Sequence, residues 1–464
     1  MAQHQSQSSV SQKQDKQALK ESPPEKRGVE TRDGVKHVNG GANGHSANGH
    51  GNGTHGKGYR LEGELHDKLM KGRPSALVDL DVSGPGLPEP VYPQLPEGFM
   101  RSKKEYQHMN ALRTAKAWAV PYVKSLWHRN QLRPLIAYLF TEWKCNLACE
   151  YCWAFENSVP GMTEEVARKS IDWLEDIGCR VLALMGGEPL LRPDFIHKVT
   201  YYAAKKGFFV YLPTNGRLMK PEVIDKLGDA GLAAVNLAVD AVDEKPGLPK
   251  ALTPIRPYFD YLVKTQNRYG HLVMLNINIT RINIEDARQL TEIGRANEVG
   301  TDYHINEAPL IEQEHFGDKA EVNSTYLRPE DYPKVDALLD ELKEKQRQGY
   351  KMANPIQHLE DMKQLMRGKV EPWPCRAGKN TLIIRTDGTL APCFPMYSAS
   401  HDWGTVGNHK FEEQQLDEMK ESCNSHCLST CNYILGYSYN AKRVISWGLK
   451  QARHGFRGAT GAFE

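Results

Sequence analysis

From residue 135 onward, short apolar runs alternate with longer stretches in which apolar residues recur every three or four positions. The runs cover residues 135–140, 180–185, 208–212, 233–239, 272–279 and 303–305. Each has the length and near-continuous apolar character of a strand buried on both faces. Residues 163–177, 193–206, 221–230, 254–268 and 284–299 read as helices between them. Most helix starts carry a fitting residue: Thr163 followed by Glu164 and Glu165, or proline at Pro193, Pro221 and Pro254. Six strands alternating with helices predict an α/β fold, a parallel sheet with its helices outside. Six is too few for a closed eight-fold barrel.

The flanks follow other patterns. Residues 1–60 read as a disordered low-complexity tail, and residues 40–58 are almost wholly Gly, Asn, His, Ala, Ser and Thr. Such a segment buries too little apolar surface to offset the entropy of ordering it. Residues 61–130 form a Pro-rich segment followed by a basic amphipathic helix over 103–129, with Pro121 as a kink or a boundary. That helix suits either a barrel end or a membrane surface. The barrel repeat spans 131–308. An irregular insertion over 309–329 and two helices (329–348 and 355–367) fill 309–370. A cysteine-bearing segment spans 371–435, and a basic helix and tail span 436–464.

Composition narrows the function. A net charge of +2 gives no electrostatic case for nucleic acid. No run of about 18 apolar residues suggests a membrane span, and no apolar leader suggests secretion. The nine cysteines cluster by motif, which reads as metal ligation in a reducing, cytoplasmic setting rather than as disulfides. Cys179, beside an apolar run, reads as an ordinary core residue.

Three cysteines follow the first strand: Cys145, Cys149 and Cys152, with three and then two residues between them. Three thiolates on one loop can hold three irons of a [4Fe–4S] cube and leave the fourth open. A structural zinc would want a fourth ligand nearby, and the next cysteine, Cys179, lies 27 residues on. With Tyr151 before the third cysteine, the loop resembles the CxxxCxφC signature of the radical S-adenosylmethionine (radical SAM) superfamily. After the second strand, Gly186-Gly187-Glu188-Pro189 resembles that family's GGEP motif, and Thr214-Asn215-Gly216 after the third resembles its TNG. After the fourth strand, where the family often shows Ser-x-Asp-Gly, the chain keeps Asp240 but has Ala238 and Ala241.

The resemblance implies a partial (β/α)6, TIM-like barrel whose chemistry sits at the C-terminal strand ends. It implies that the open iron chelates S-adenosylmethionine through amine and carboxylate. One electron from a flavodoxin- or ferredoxin-type donor then yields methionine and a 5′-deoxyadenosyl radical. In this reading Gly186 and Gly187 let backbone carbonyls approach the amine and Glu188 supplies a carboxylate. In the fifth strand Asn276, Asn278 and Thr280 alternate and so share one side. Asn276 or Asn278 is expected to meet the ribose, and Arg281 the methionine carboxylate. Asn306 and Glu307 end the sixth strand near the mouth.

A second set comprises Cys375, Cys393, Cys423, Cys427 and Cys431. Residues 381–390 read as a β-hairpin with an Asp-Gly turn, which brings Cys375 and Cys393 toward one end. The spacing Cys–x12–Gly–x4–Cys resembles the SPASM and twitch extensions, implying one auxiliary [4Fe–4S] cluster from four of the five thiolates. Zinc from four of them is the competing assignment. Three functions remain open at this stage: a peptide or protein maturase, a radical enzyme acting on a small molecule or lipid, and a non-catalytic zinc- or iron-binding scaffold.

Overall fold

A computed structural model describes residues 111–127, 131–152, 159–305, 324–397, 401–423, 427–440 and 445. The tail, the Pro-rich segment, residues 306–323 (Asn306, Glu307 and most of the insertion), and most of the basic C-terminal helix lie outside the described residues.

The six expected strands form as β1 (Ile136–Glu142), β2 (Val181–Gly186), β3 (Phe209–Thr214), β4 (Ala234–Ala238), β5 (Leu272–Ile279) and β6 (Gly300–Ile305). The helices between them are α2 (Glu164–Asp176), α3 (Pro193–Lys205), α4 (Pro221–Ala230), α5 (Arg256–Tyr269) and α6 (Ile284–Ala296). Each agrees with its sequence pattern to within a few residues. Thr163 caps α2, its hydroxyl accepting from the Val166 N–H at 3.2 Å. Helix α1 (Ala111–Trp127) precedes the sheet and runs through Pro121 without a break. Helices α7 (Tyr332–Arg347) and α8 (Ile356–Met366) follow it.

Neighbouring strands from β1 to β6 pair in parallel and in sequence order. The hairpin expected over 381–390 forms as β7 (Thr381–Ile384) and β8 (Leu390–Ala391). It is not a free-standing hairpin. β7 pairs in parallel with β1, from Ile136 opposite Thr381 to Leu139 opposite Ile384, so the hairpin continues the barrel sheet. β1 is buried along its whole length, and an apolar central strand cannot leave its N–H and C=O groups unpaired. The chain returns after more than 230 residues to fill that edge. The other edge, at β6, is covered by residues 351–354. Thr301 bridges Met352, and the Asn354 side chain bonds both the N–H (2.7 Å) and the C=O (2.8 Å) of Tyr303.

Two apolar layers result. The outer one joins the sheet to its helices through residues such as Leu139, Leu184, Leu212 and Leu275. The inner one carries the alternate positions Tyr138, Phe140, Ala183, Phe209 and Ala234, packed with Ala117 of α1, Tyr397, and Leu435 of a last helix, Thr430–Ser438. That helix, α10 (α9 being Glu413–Cys423), meets α8 where the His358 ring stacks on Tyr433 at 4.3 Å. A two-stranded ladder, Gly404–Thr405 with Asn408–His409, completes the described strands.

Candidate metal centre

The site begins where β1 ends. Beyond Glu142 the chain cannot continue as strand, because its pairing with β2 shifts between Phe140 and Glu142. The buried Glu142 carboxylate accepts from the N–H groups of Trp143 (3.0 Å) and Lys144 (3.1 Å) and so turns the chain. The Gly187 N–H donates to the Glu142 carbonyl at 2.7 Å, and the Glu188 N–H to the Lys144 carbonyl at 2.8 Å. A Cβ on Gly187 would stand 2.3 Å from the Lys144 oxygen and 2.6 Å from that of Trp143. Glycine is therefore required for the backbones themselves to touch. Cys145 follows directly, so the Gly-Gly-Glu turn sets where the cysteine loop starts.

Cys145 and Cys149 are buried, and Cys152 is partly so. The Leu147 N–H points at the Cys145 sulfur from 3.4 Å, and the Cys152 N–H donates to the Cys149 carbonyl at 3.1 Å. The loop is anchored at Glu150, whose N–H donates to Gly247 O (3.1 Å) and whose carboxylate accepts from the N–H and hydroxyl of Ser324. Burial, with Cys152 and Cys149 alongside, pushes the Cys145 thiol up. Three thiols held close on one loop are the donor set that a bound metal cation joins. Next to them the Asn146 side-chain N–H2 is buried without a partner among the described residues, while its oxygen accepts from Asn215 at 2.8 Å. An unused donor beside thiolates suits cluster sulfur as an acceptor. Among the described residues, no three Cys, His, Asp or Glu side chains converge as they would around one ion. Each thiolate of a cube holds its own iron, so wider spacing is what a cube calls for. The residues fit a [4Fe–4S] cluster.

Glu188, fully buried, accepts on one oxygen from the Leu190 N–H (2.9 Å) and the Thr214 hydroxyl (2.8 Å), and on the other from the Asn215 N–H (2.9 Å). Burial raises its pKa against these donors. The structure shows Glu188 stapling the end of β2 to the Thr214-Asn215-Gly216 turn. Gly216 has φ +79°, and Leu237 and Ile255 leave no room for a Cβ there. Pro189 opens a short 3₁₀ turn behind the staple.

Asp240 is also buried. It accepts from the Asn278 N–H at 2.8 Å and from the Tyr151 hydroxyl, which fixes the aromatic of the cysteine loop. Lys250 was not singled out in the sequence. Its ammonium stands 5.0 Å over the Tyr151 ring, with no carboxylate in ion-pair contact among the described residues. Burial would lower its pKa, but Cys149, Asp240, Cys152 and Cys145 together outweigh burial and hold it charged. The buried Arg217, bonded to Pro249 O at 3.0 Å and paired with Glu244, positions this loop. Only the fold could reveal Lys250, because no motif spaces it from the cysteines.

The fifth-strand residues divide. Asn276 faces the barrel interior and meets His304 at 2.8 Å, and His304 in turn meets Asp302 at 3.2 Å. The buried Asn278 is held through its backbone by Asp240 and by Asn283 (2.8 Å). Thr280 lies past the end of β5 and bonds Asn283, so it does not extend the stripe. Arg281 does not face the site as an open cation. It pairs with Glu330 (3.3 Å) and Asp331 (3.2 Å) at the start of α7.

The second cysteine set separates. Cys375, Cys393 and Cys423 share one small cluster with Ala377, Met396 and Met419. The Cys427 sulfur receives the Ser429 N–H at 3.4 Å, the same i-to-i+2 arrangement as at Cys145. Cys431 is elsewhere, in the inner layer, where the Tyr138 hydroxyl reaches both its thiol and Tyr211.

Residues 144–269 match the sequence model of the radical SAM superfamily. The matched segment holds the cysteine loop, the Gly-Gly-Glu staple, Asp240 and Lys250. Among its relatives is an AdoMet-dependent heme synthase of Methanosarcina barkeri, 32% identical over 170 residues, covering 35% of this chain and 47% of that protein. A GTP 3′,8-cyclase of Aliarcobacter butzleri is 24% identical over 288 residues, covering 58% and 83%. The chain spans less than half the length of the heme synthases it matches. Among solved structures, native anSMEcpe with bound AdoMet aligns at TM-score 0.45 and 18% identity over 65% of this chain and 84% of that one.

The staple makes a direct prediction. Glu188→Ala leaves three buried donors without an acceptor and should cost about 3 kcal/mol. Guanidinium unfolding followed by circular dichroism measures this, and Glu188→Gln, which keeps one acceptor oxygen, should lose less.

Proposed function

We propose that the protein is a radical enzyme that cleaves S-adenosylmethionine reductively at a [4Fe–4S] cluster held by Cys145, Cys149 and Cys152. The observation that carries this reading is a three-thiol loop locked against the Gly186–Glu188 turn, with the Lys250 ammonium over its Tyr151 ring. A cluster bound there supplies the electron that splits the sulfonium into methionine and a 5′-deoxyadenosyl radical, which takes hydrogen from a substrate C–H bond.

The chain's own residues contribute placement and charge. Gly187 and Glu188 fix the loop's origin, and Asp240 fixes Tyr151 within it. Lys250 offers three donors beside the thiols and has no ion-paired carboxylate among the described residues, so it is the carboxylate partner for the methionine end. The side-chain nitrogen of Asn146 donates to cluster sulfur. Phe140, Trp143 and Tyr397 pack ring against ring at 4.8–5.0 Å below the loop and keep water from that side. An external one-electron donor of flavodoxin or ferredoxin type is part of this reading.

A second [4Fe–4S] cluster belongs to the C-terminal segment in the same proposal. Cys375, Cys393 and Cys423 share a cluster of side chains, and Cys427 has the N–H···S bond typical of a ligating thiolate, so these four are its ligands. Cys431, turned to Tyr138 and Tyr211, is left out.

Reconstituted protein incubated with S-adenosylmethionine and dithionite should release 5′-deoxyadenosine, and Cys145→Ala should release none. Equal yields from the two, by chromatography, would remove the enzyme reading. Analysis should find about eight iron and eight sulfide per chain, falling to about four of each in Cys393→Ala. Stoichiometric zinc would sink the second cluster. Lys250→Met should weaken S-adenosylmethionine binding by roughly 10- to 150-fold, the worth of a charged hydrogen bond. Equilibrium dialysis measures this. Decarboxylated S-adenosylmethionine should bind both proteins alike, and an equal loss for both ligands would count against the carboxylate assignment.

A further inference from the structure

Helix α1 has two unlike faces. Ala117, Pro121 and Ser125 are buried, and Trp118 meets Phe209 of β3 edge-on at 6.1 Å. This face closes one side of the inner layer. The opposite face shows Val120 (42% exposed), Val123 (45%) and Trp127 (81%), with Lys116 and Lys124 exposed among them. At about 100° per residue these five side chains fall within one arc of about 100°. No acidic residue occurs in α1. Among the described residues, neither lysine has a carboxylate in ion-pair contact.

A solvated helix face normally carries polar residues of both signs. This one carries a tryptophan, two valines and only positive charge. An indole among valines suits the boundary between headgroups and acyl chains, and lysine stems can lie along that surface while their ammonium groups reach phosphates. No described helix is long and apolar enough to cross a membrane. The helix is also rigidly placed: the Tyr122 hydroxyl donates to Ser438 O at 2.6 Å, and the Ser125 hydroxyl meets that of Tyr439 at 2.7 Å. The chain leaving that junction shows another exposed apolar side chain, Ile445 (63%).

We propose that this stripe docks the protein on an anionic phospholipid membrane, with α1 lying in the interface plane. Val120, Val123 and Trp127 enter the headgroup–acyl boundary, and Lys116 and Lys124 meet phosphate. The inference stands on α1 alone and does not depend on the chemistry of the metal centre.

Flotation of the full-length, reconstituted protein with vesicles tests it. The probes are phosphatidylcholine vesicles and vesicles of phosphatidylcholine and phosphatidylglycerol at two to one. The protein should float with the anionic vesicles at low salt, and much less with the neutral ones. Val120→Ser/Val123→Ser/Trp127→Ser should lower that partition about tenfold or more. Lys116→Gln/Lys124→Gln should lower it about fivefold per lysine at low salt and have little effect at high salt. Unchanged iron content and circular dichroism establish that each variant is folded. If the triple variant does not fold, the lysine pair decides alone. A parent that stays with neither vesicle overturns the proposal, as does a variant that floats like the parent. It is equally overturned if the triple substitution instead converts a dimer to a monomer in sedimentation, since the face would then be an interface between copies.

Discussion

Everything at the metal centre depends on one backbone contact. The chain leaving β1 and the chain leaving β2 touch main chain to main chain, Gly187 N–H on Glu142 O and Glu188 N–H on Lys144 O. No side chain fits between them. Because Cys145 is the next residue after Lys144, the position of the first thiol follows from a glycine 42 residues later. Glu188 extends the same constraint sideways to β3 through Thr214 and Asn215. Three strand ends thus become one rigid rim, in agreement with the rule that a site is held by the ends of several strands of a barrel.

Charge explains the second layer of organisation. Glu188 and Asp240 are buried acids whose pKa burial raises. Both are satisfied by N–H and O–H donors rather than by a direct cation, so each can be fully hydrogen-bonded without neutralising the site. The positive charge is set apart on Lys250, above the Tyr151 ring. That separation keeps the ammonium out of direct ion pairs among the described residues while the carboxylates do structural work.

The C-terminal segment is part of the barrel. β7 completes the hydrogen bonding of β1, and α10 places Cys431 and Leu435 in the inner layer. Cys393 follows β8 closely, so this one cysteine of the second set is carried on the same sheet as the first set. The geometry that stabilises the free edge of β1 also fixes the relation of Cys393 to the first set.

The sequence by itself determined the strand and helix order, because apolar runs and periodic stretches report burial on two faces or on one. It also determined the cysteine loop, the Gly-Gly-Glu turn, the Thr-Asn-Gly turn and the 381–390 hairpin, since each rests on local spacing or local backbone freedom. Roles that depend on what stands opposite were decided by the tertiary structure. Arg281 looked like a carboxylate ligand until Glu330 and Asp331 came to face it across nearly 50 residues. Glu188 reads as an amine ligand in sequence, and only the fold shows the three donors it binds at the ends of β2 and β3. Lys250 had no motif to mark it and became prominent only when its loop folded over Tyr151. Five cysteines in one segment looked interchangeable until packing put Cys431 beside Tyr138. A chain encodes its periodicity and its turns locally, but a charged or sulfur-bearing side chain takes its role from neighbours that only folding brings into contact.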